Sequence, residues 1–241
     1  MKQITTAIFQ ILLYTVIFSP LLPILFFLGF KRKTKEEAVW VIFFYAVYCL
    51  INEFMNYYLQ VQGSMDTIKL FALFTVVEFS FISYFFFLVI KRRSVRNTIP
   101  IIWLSFLIFA SIDYFYINRF NNFDSISVGI ETILVIIFAS YYLIAQIRKE
   151  SNLLIYSTFN FWVSITILIY FCGTFFLNIL TGNMKGDPEF QKLYFIINIS
   201  FNILKNILLS VAMCMNANRA VKATSTMPNL DDEIIANKFL N

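Results

Sequence analysis

The sequence predicts an all-α polytopic membrane protein, a bundle of seven transmembrane helices. Of its 241 residues, 59% are hydrophobic and only 14% are charged, whereas a soluble domain is normally about 45–50% apolar and about 25% charged. The second observation is a series of seven apolar stretches, each close to the roughly 20 residues with which a helix crosses the hydrocarbon core of a bilayer. A soluble enzyme is therefore excluded, and the lipid bilayer is an expected partner.

The seven predicted spans follow one another through short links. They comprise residues 7–30, 38–60, 68–90, 98–118, 126–147, 153–180 and 192–215. None of the links is long enough to hold a domain, so we expect a membrane domain over residues 1–215 and a short tail over 216–241. The first span is too long for the apolar part of a signal peptide and a basic cluster follows it, so we expect it to be retained.

The first span is interrupted by the sequence Ser19-Pro-Leu-Leu-Pro23. A proline removes a backbone N–H and clashes with the preceding helical turn. Pro20 and Pro23 are therefore expected to kink or break this helix. The break can act as a hinge or can shape packing.

The distribution of basic residues predicts the orientation. Of the 19 Lys and Arg, 13 fall on one side of the predicted membrane, five fall on the other, and Lys205 lies inside the last span. Cytoplasmic loops carry the excess of Lys and Arg, which places the N-terminus outside and the C-terminus in the cytoplasm. The net charge of +5 is thus an orientation signal, and no nucleic-acid partner is expected. The Phe-, Ile- and Asn-rich composition is typical of AT-rich coding and indicates a bacterial inner (plasma) membrane.

The residue counts also restrict the chemistry. The chain has no His and three Cys, which excludes zincin, Ser-His-Asp and Cys-His mechanisms. The three cysteines lie far apart inside apolar stretches and lack the C-x-x-C spacing of a metal or redox site. They are Cys49, Cys172 and Cys214. We therefore expect no metal and no cofactor. An intramembrane enzyme, which would have to use a carboxylate or Lys205 as its base, is disfavoured.

Four ionisable side chains lie well inside the predicted spans: Glu53, Glu78, Glu131 and Lys205. A charge at the bilayer centre costs at least about 2.5–3.5 kcal/mol, so each is a functional-site hypothesis. At a rise of about 1.5 Å per residue, the three acids lie roughly 8–15 Å below the predicted outer ends of their helices, and the lysine lies about 20 Å below. The sequence therefore predicts a cluster in the outer half of the bundle.

Polar neighbours at helical spacing support this cluster. The second span carries a stripe of Cys49, Asn52, Glu53, Asn56 and Gln60, with steps of three and four residues that keep the side chains on one face. The seventh span repeats the pattern around Lys205. The complete predicted ligand-binding or ion-pair cluster is Glu53, Asn56, Glu78, Glu131, Asn198, Asn202 and Lys205.

Two interpretations of the cluster remain open. It can consist of ion pairs and hydrogen bonds that fix helix register, since such contacts contribute about 0.6–2 kcal/mol each in membranes. Alternatively, three acids and one base leave carboxylates that a small cationic or amphiphilic ligand would compensate.

Two resemblances carry further expectations. The segment Phe74-Thr-Val-Val-Glu-Phe-Ser-Phe-Ile-Ser-Tyr-Phe-Phe86 resembles uncharacterised seven-span bacterial inner-membrane proteins with an acid in an aromatic third helix; this implies no established activity. Glu78 in the third span and Lys205 midway along the seventh also resemble the layout of microbial rhodopsins. That likeness implies retinal bound through Lys205 with Glu78 as counter-ion, although Phe201 stands where that family usually has an Asp.

Besides a scaffolding or assembly role, three functions are compatible with the pattern. The favoured one is a receptor-like, sensor-like or partner-binding module that has a polar pocket in the outer half and signals through a separate membrane or cytoplasmic protein. That protein would dock at the cytoplasmic face or on the tail, where residues 231–240 can form a short amphipathic helix. The alternatives are a small-solute or ion-coupled secondary transporter and a retinal-binding opsin. The apolar segments 85–90 and 134–138 predict a dry inner half, which favours a receptor over a transporter.

Overall fold

The computed structural model describes residues 2–29, 36–62, 67–117, 125–148, 158–184 and 188–225. The described elements are all helical. Eight α-helices follow in order, and α5 continues into a π-helical turn, Asp113–Ile117. The α-helices are α1 Lys2–Phe18, α2 Leu21–Gly29, α3 Glu37–Val61, α4 Thr67–Val89, α5 Arg93–Ile112, α6 Ser125–Ile147, α7 Phe159–Met184 and α8 Pro188–Ser225.

Six stretches of these helices are long and apolar enough to cross a membrane, so the chain has the layout of a multi-pass membrane protein. They are Gln10–Gly29, Glu37–Val61, Lys69–Val89, Arg93–Tyr116, Ile126–Ile147 and Lys192–Met215. The predicted sixth span corresponds to α7, a helix of 26 residues in which the apolar part Phe159–Phe175 is shorter than the other six. The predicted start of that span, residues 153–157, lies outside the described residues.

The predicted break in the first span lies between α1 and α2. Ser19 and Pro20 form a turn between the two helices. Pro23 is the third residue of α2, where the backbone N–H of a helix has no partner within the helix in any case. Pro20 therefore marks the interruption, whereas Pro23 fits the first turn of the following helix.

The last helix extends beyond the predicted span. α8 continues from Met215 to Ser225, so residues 216–225 of the predicted tail are helical. The short amphipathic helix predicted over residues 231–240 lies outside the described residues, as do the basic residues of the first link, 31–35.

A hydrophobic core fills one end of the bundle. The first half of α3, the second half of α4 and the second half of α6 meet there, together with the start of α7 and the second half of α8. We call this region the packed end, and the opposite end, where α3 ends and α4, α6 and α8 begin, the pocket end. Buried side chains of the packed end include Val39, Ile42, Phe85, Phe86, Val89, Ile90, Phe138, Ala139, Tyr142, Phe159, Val163, Leu209, Ala212 and Met213.

Candidate ligand cavity

A cavity of about 170 Å³ lies between α1, α3, α4, α7 and α8 at the pocket end. Its polar lining residues come from the stripe of α3 and the start of α8. Aromatic and aliphatic side chains from all five helices complete the lining. The polar residues that line it are Asn52, Glu53, Asn56, Gln60, Asn198 and Asn202, and the aromatic ones are Tyr57, Phe71, Phe74, Tyr170, Tyr194 and Phe195.

Four of the predicted cluster residues therefore face this cavity: Glu53, Asn56, Asn198 and Asn202. The 3.6-residue period explains why, since steps of three and four residues keep each set on one side of its helix. Asn202 Nδ2 donates a hydrogen bond to Glu53 Oε1 at 3.1 Å, which ties α8 to α3 across the cavity wall. Among the described residues, no Lys or Arg nitrogen lies within 4.0 Å of the Glu53 carboxylate.

The remaining charges form a buried triad beside the cavity. Lys205 Nζ lies 3.6 Å from Glu78 Oε1, and both side chains are buried. The Tyr45 hydroxyl lies between them: it donates a hydrogen bond to Glu78 Oε1 and accepts one from Lys205 Nζ at 2.9 Å. The pairing of a lysine and a carboxylate in a low-dielectric interior requires such additional hydrogen bonds to offset desolvation.

Tyr170 connects the triad to the cavity. Its ring lines the cavity, and Lys205 Nζ lies 4.3 Å from the ring centroid, within the range of a cation–π contact. The Tyr45 ring lies 5.2 Å from the same nitrogen. The ammonium group is therefore enclosed by two tyrosines and one carboxylate, and a single ring separates it from the cavity.

Asn52 lines the cavity and has a buried side-chain acceptor. Its side chain is 7% exposed, and its Oδ1 atom is buried without a hydrogen-bond partner among the described residues. Leaving a buried polar group unpaired costs about 1–3 kcal/mol. A lining residue with an unmet acceptor indicates a position where a donor belongs.

A second polar contact holds the helix break. Asn206 Nδ2 donates to Ser19 Oγ at 2.7 Å, and Ser19 Oγ donates to the carbonyl of Val16 at 2.9 Å. The Pro20 ring has no N–H with which to bond that carbonyl, which instead accepts from the serine hydroxyl and, at 3.3 Å, from the Ser19 backbone N–H. α8 is thereby bonded to the interruption between α1 and α2.

Two other buried acids are not among the residues that line the cavity. Glu131 in α6 is 2% exposed, and its predicted depth is similar to that of Glu53. Asp113, in the π-helical turn, is fully buried, and its Oδ2 atom accepts a hydrogen bond from Ser127 Oγ at 2.7 Å. Asp113 thus joins the end of α5 to the start of α6.

Tyr45 belongs to the triad but is not among the residues predicted from the sequence. It lies four residues before Cys49, so the α3 stripe extended by one turn would have reached it. The sequence does not distinguish Tyr45 from the other aromatic residues, because the chain contains 13 Tyr and 30 Phe. An aromatic residue in a membrane helix normally packs against apolar neighbours and forms no ion-pair contact.

No protein-family model matches this chain, and neither do curated proteins or solved structures. The function must therefore be argued from the cavity itself. Within the described parts of the chain, no group of three or more His, Cys, Asp or Glu side chains is placed to hold a metal ion.

Proposed function

We propose that this chain is a receptor-like membrane module that binds a small ligand in the cavity at the pocket end and signals through a separate protein. The observation that carries the proposal is the asymmetry of the bundle. A cavity that contains a carboxylate without a salt bridge lies at one end, and apolar side chains fill the other. Such a molecule can admit a ligand from one side of a membrane without letting it pass.

We infer a seven-span bundle with the pocket end outside and the C-terminus in the cytoplasm of a bacterial inner membrane. The six apolar stretches together with α7 support the count, because α7 is a helix of 26 residues, about 39 Å long at 1.5 Å per residue. The excess of basic residues in the links at the packed end supports the orientation.

The packed end argues against alternating access. A transporter must open its binding site towards each side in turn, and the opening on the second side needs polar groups or small side chains along the route. Below the triad, Phe85 and Phe86 are fully buried, and Leu209 is 1% exposed. Each buried Asp, Glu or Lys among the described residues lies either in the pocket half or near the middle of its helix: Glu78, Asp113, Glu131 and Lys205.

Helix α8 offers the route for a signal. Asn198 and Asn202 line the cavity, Lys205 belongs to the triad, and Asn206 is bonded to the α1–α2 break. A ligand that alters any of these contacts acts on the same helix that emerges at the packed end. The partner is expected to dock on that cytoplasmic face or on the tail.

The test combines transport and binding. Purified protein in liposomes should show no uptake of amino acids, sugars or cations down imposed gradients, whereas ligands from the same panel should raise its thermal stability by mass action. Stabilisation should disappear in Glu53→Gln and persist in Glu36→Gln, which removes an exposed carboxylate at the packed end.

Two outcomes would replace the proposal. Saturable uptake by the wild type, abolished by Glu53→Gln, would identify a secondary transporter. A visible absorption band after addition of retinal, lost in Lys205→Ala, would identify an opsin.

A further inference from the structure

We propose that the cavity recognises an organic ammonium ion with N–H donors, that is, a protonated primary amine on a short carbon chain. This assignment rests on the proposed function and names the ligand class of the same cavity. It follows from three observations on the lining: its charge, its unmet acceptor and its aromatic walls.

The charge of the site requires a cation. Glu78 is compensated by Lys205 at 3.6 Å, and that ammonium is further occupied by the Tyr45 hydroxyl at 2.9 Å. Glu53 receives only the neutral Asn202 amide at 3.1 Å. Glu53 and Glu78 therefore share the single positive charge of Lys205, and the carboxylate at the cavity is the one that has no salt bridge. A partly buried carboxylate in that position favours a cationic ligand.

The unmet acceptor requires a hydrogen-bond donor. Asn52 Oδ1 is buried and has no partner among the described residues, and its side chain lines the cavity that also contains Glu53. A primary ammonium carries three N–H donors, so a group bonded to the Glu53 carboxylate has donors left for the Asn52 carbonyl. Because Oδ1 is buried, the Asn52 amide has to turn towards the cavity to accept one of them. A quaternary ammonium has the charge but lacks the donors.

The walls distinguish an organic cation from a metal ion. Calcium and magnesium take six or more oxygen ligands in most protein sites. Around the polar face, this cavity instead presents the rings of Phe74, Tyr170 and Tyr194, whose faces attract ammonium groups by cation–π interaction. Its volume, about 170 Å³, leaves room for the carbon chain of such a ligand beside Val16 and Ile17 of α1.

The experiment compares matched probes on the full chain in lipid nanodiscs. n-Butylammonium chloride should raise the midpoint of thermal unfolding at pH 7 with a saturable concentration dependence. n-Butanol, which has the same chain without the charge, should not do so. Butyltrimethylammonium, which has the charge without N–H donors, should bind more weakly, and sodium chloride at equal ionic strength should give no saturable shift.

Two variants locate the site. Glu53→Gln should weaken the apparent affinity for n-butylammonium about 10- to 100-fold, as expected for the loss of a hydrogen bond to a charged group. The glutamine can still accept the Asn202 hydrogen bond, which keeps the α3–α8 contact. Asn52→Leu should weaken n-butylammonium binding but leave butyltrimethylammonium binding nearly unchanged, because only the former uses the Asn52 carbonyl. Glu36→Gln is the control that should retain wild-type affinity.

Three results would overturn the assignment. They are the absence of a saturable shift with n-butylammonium, an equal shift in wild type and Glu53→Gln, and an equal shift with sodium chloride. A different result would overturn only the proposed receptor function. If n-butylammonium binds through Glu53 and proteoliposomes also accumulate it, the assigned ligand class is correct and the protein is a transporter.

Discussion

Asn206 of α8 donates its side-chain hydrogen bond to Ser19, the residue that precedes the proline break between α1 and α2. The contact is buried at both ends. This hydrogen bond joins the break between α1 and α2 to α8, the longest helix. Asn206 lies one turn of α8 from Asn202, whose side chain is hydrogen-bonded to Glu53. The break predicted in the first span is thus bonded to a helix that lines the cavity.

The variant Ser19→Ala should lower the free energy of unfolding by about 1–3 kcal/mol, because the buried Asn206 amide then loses its partner. The measurement is unfolding in mixed micelles. Thr15→Ala is the matched control, since the exposed Thr15 hydroxyl bonds only to the carbonyl of Ile11 within the same helix, and it should change stability by less than about 0.5 kcal/mol. Equal effects would show that the bond to Asn206 contributes nothing.

Removal of the hydroxyl should have different effects on the stability of the protein at two tyrosines that lie one helical turn apart. Tyr45→Phe removes the group that bridges Lys205 and Glu78 and should cost about 1–3 kcal/mol. Tyr48 has a buried hydroxyl without a partner among the described residues, while its ring stacks on Phe74. Tyr48→Phe should therefore be neutral or stabilising, because it removes an unpaired polar atom and retains the ring. The measurement is again unfolding in mixed micelles. If Tyr48→Phe lost as much stability as Tyr45→Phe, the result would contradict the role of the Tyr45 hydroxyl as a bridge between Lys205 and Glu78.

The ion pair predicts strong coupling between Glu78 and Lys205. Breaking a buried pair by removing one partner typically costs about 3–5 kcal/mol, since the other charge stays buried. Glu78→Gln and Lys205→Met should each be strongly destabilising, and the double variant should be less destabilised than the sum of the two. A double-mutant cycle measures this difference, and strictly additive effects would mean that the two side chains do not interact.

The close approach of α7 and α8 predicts a second cooperative pair. A methyl group on Gly173 would overlap the ring of Phe201, so Gly173→Ala should destabilise by about 1–3 kcal/mol through overpacking. Adding Phe201→Leu should recover part of this loss. Gly129→Ala in α6 is the control: no side chain or backbone atom lies within 4 Å of a Cβ there, and alanine is the better helix former by about 0.5–1 kcal/mol. Equal destabilisation at both glycines would remove the packing argument.

The orientation can be checked independently of any ligand. A reporter fused after Asn241 should read cytoplasmic, and one inserted between Gly182 and Gly186 should read external. Two reporters on the same side would mean that α8 does not cross the membrane, and an external C-terminus would invert the proposed arrangement.

Local period allows the helices to be predicted from the sequence, and it also explains why four of the seven residues of the predicted cluster line one cavity. The spacing alone predicts that Glu53 and Asn56 lie on one face of their helix. The depth of Lys205 relative to Glu78 follows from the rise per residue. The position of Glu131 could not be predicted, because depth along a helix does not specify the direction that the side chain faces around the bundle. The same limitation concealed the contact between Gly173 and Phe201, which depends on how closely two helices approach.

The 38 residues of α8 form a rod about 57 Å long, nearly twice the roughly 30 Å of a hydrocarbon core. Its apolar part ends at Met215, and the helix continues through residues 216–225. Because the backbone is unbroken, Lys205 and Ser225 move together: a tilt of about 5° at Lys205 displaces Ser225 by about 2.6 Å, given about 30 Å of helix between them. A small tilt at Lys205 is thereby converted into a larger displacement at the end of the helix.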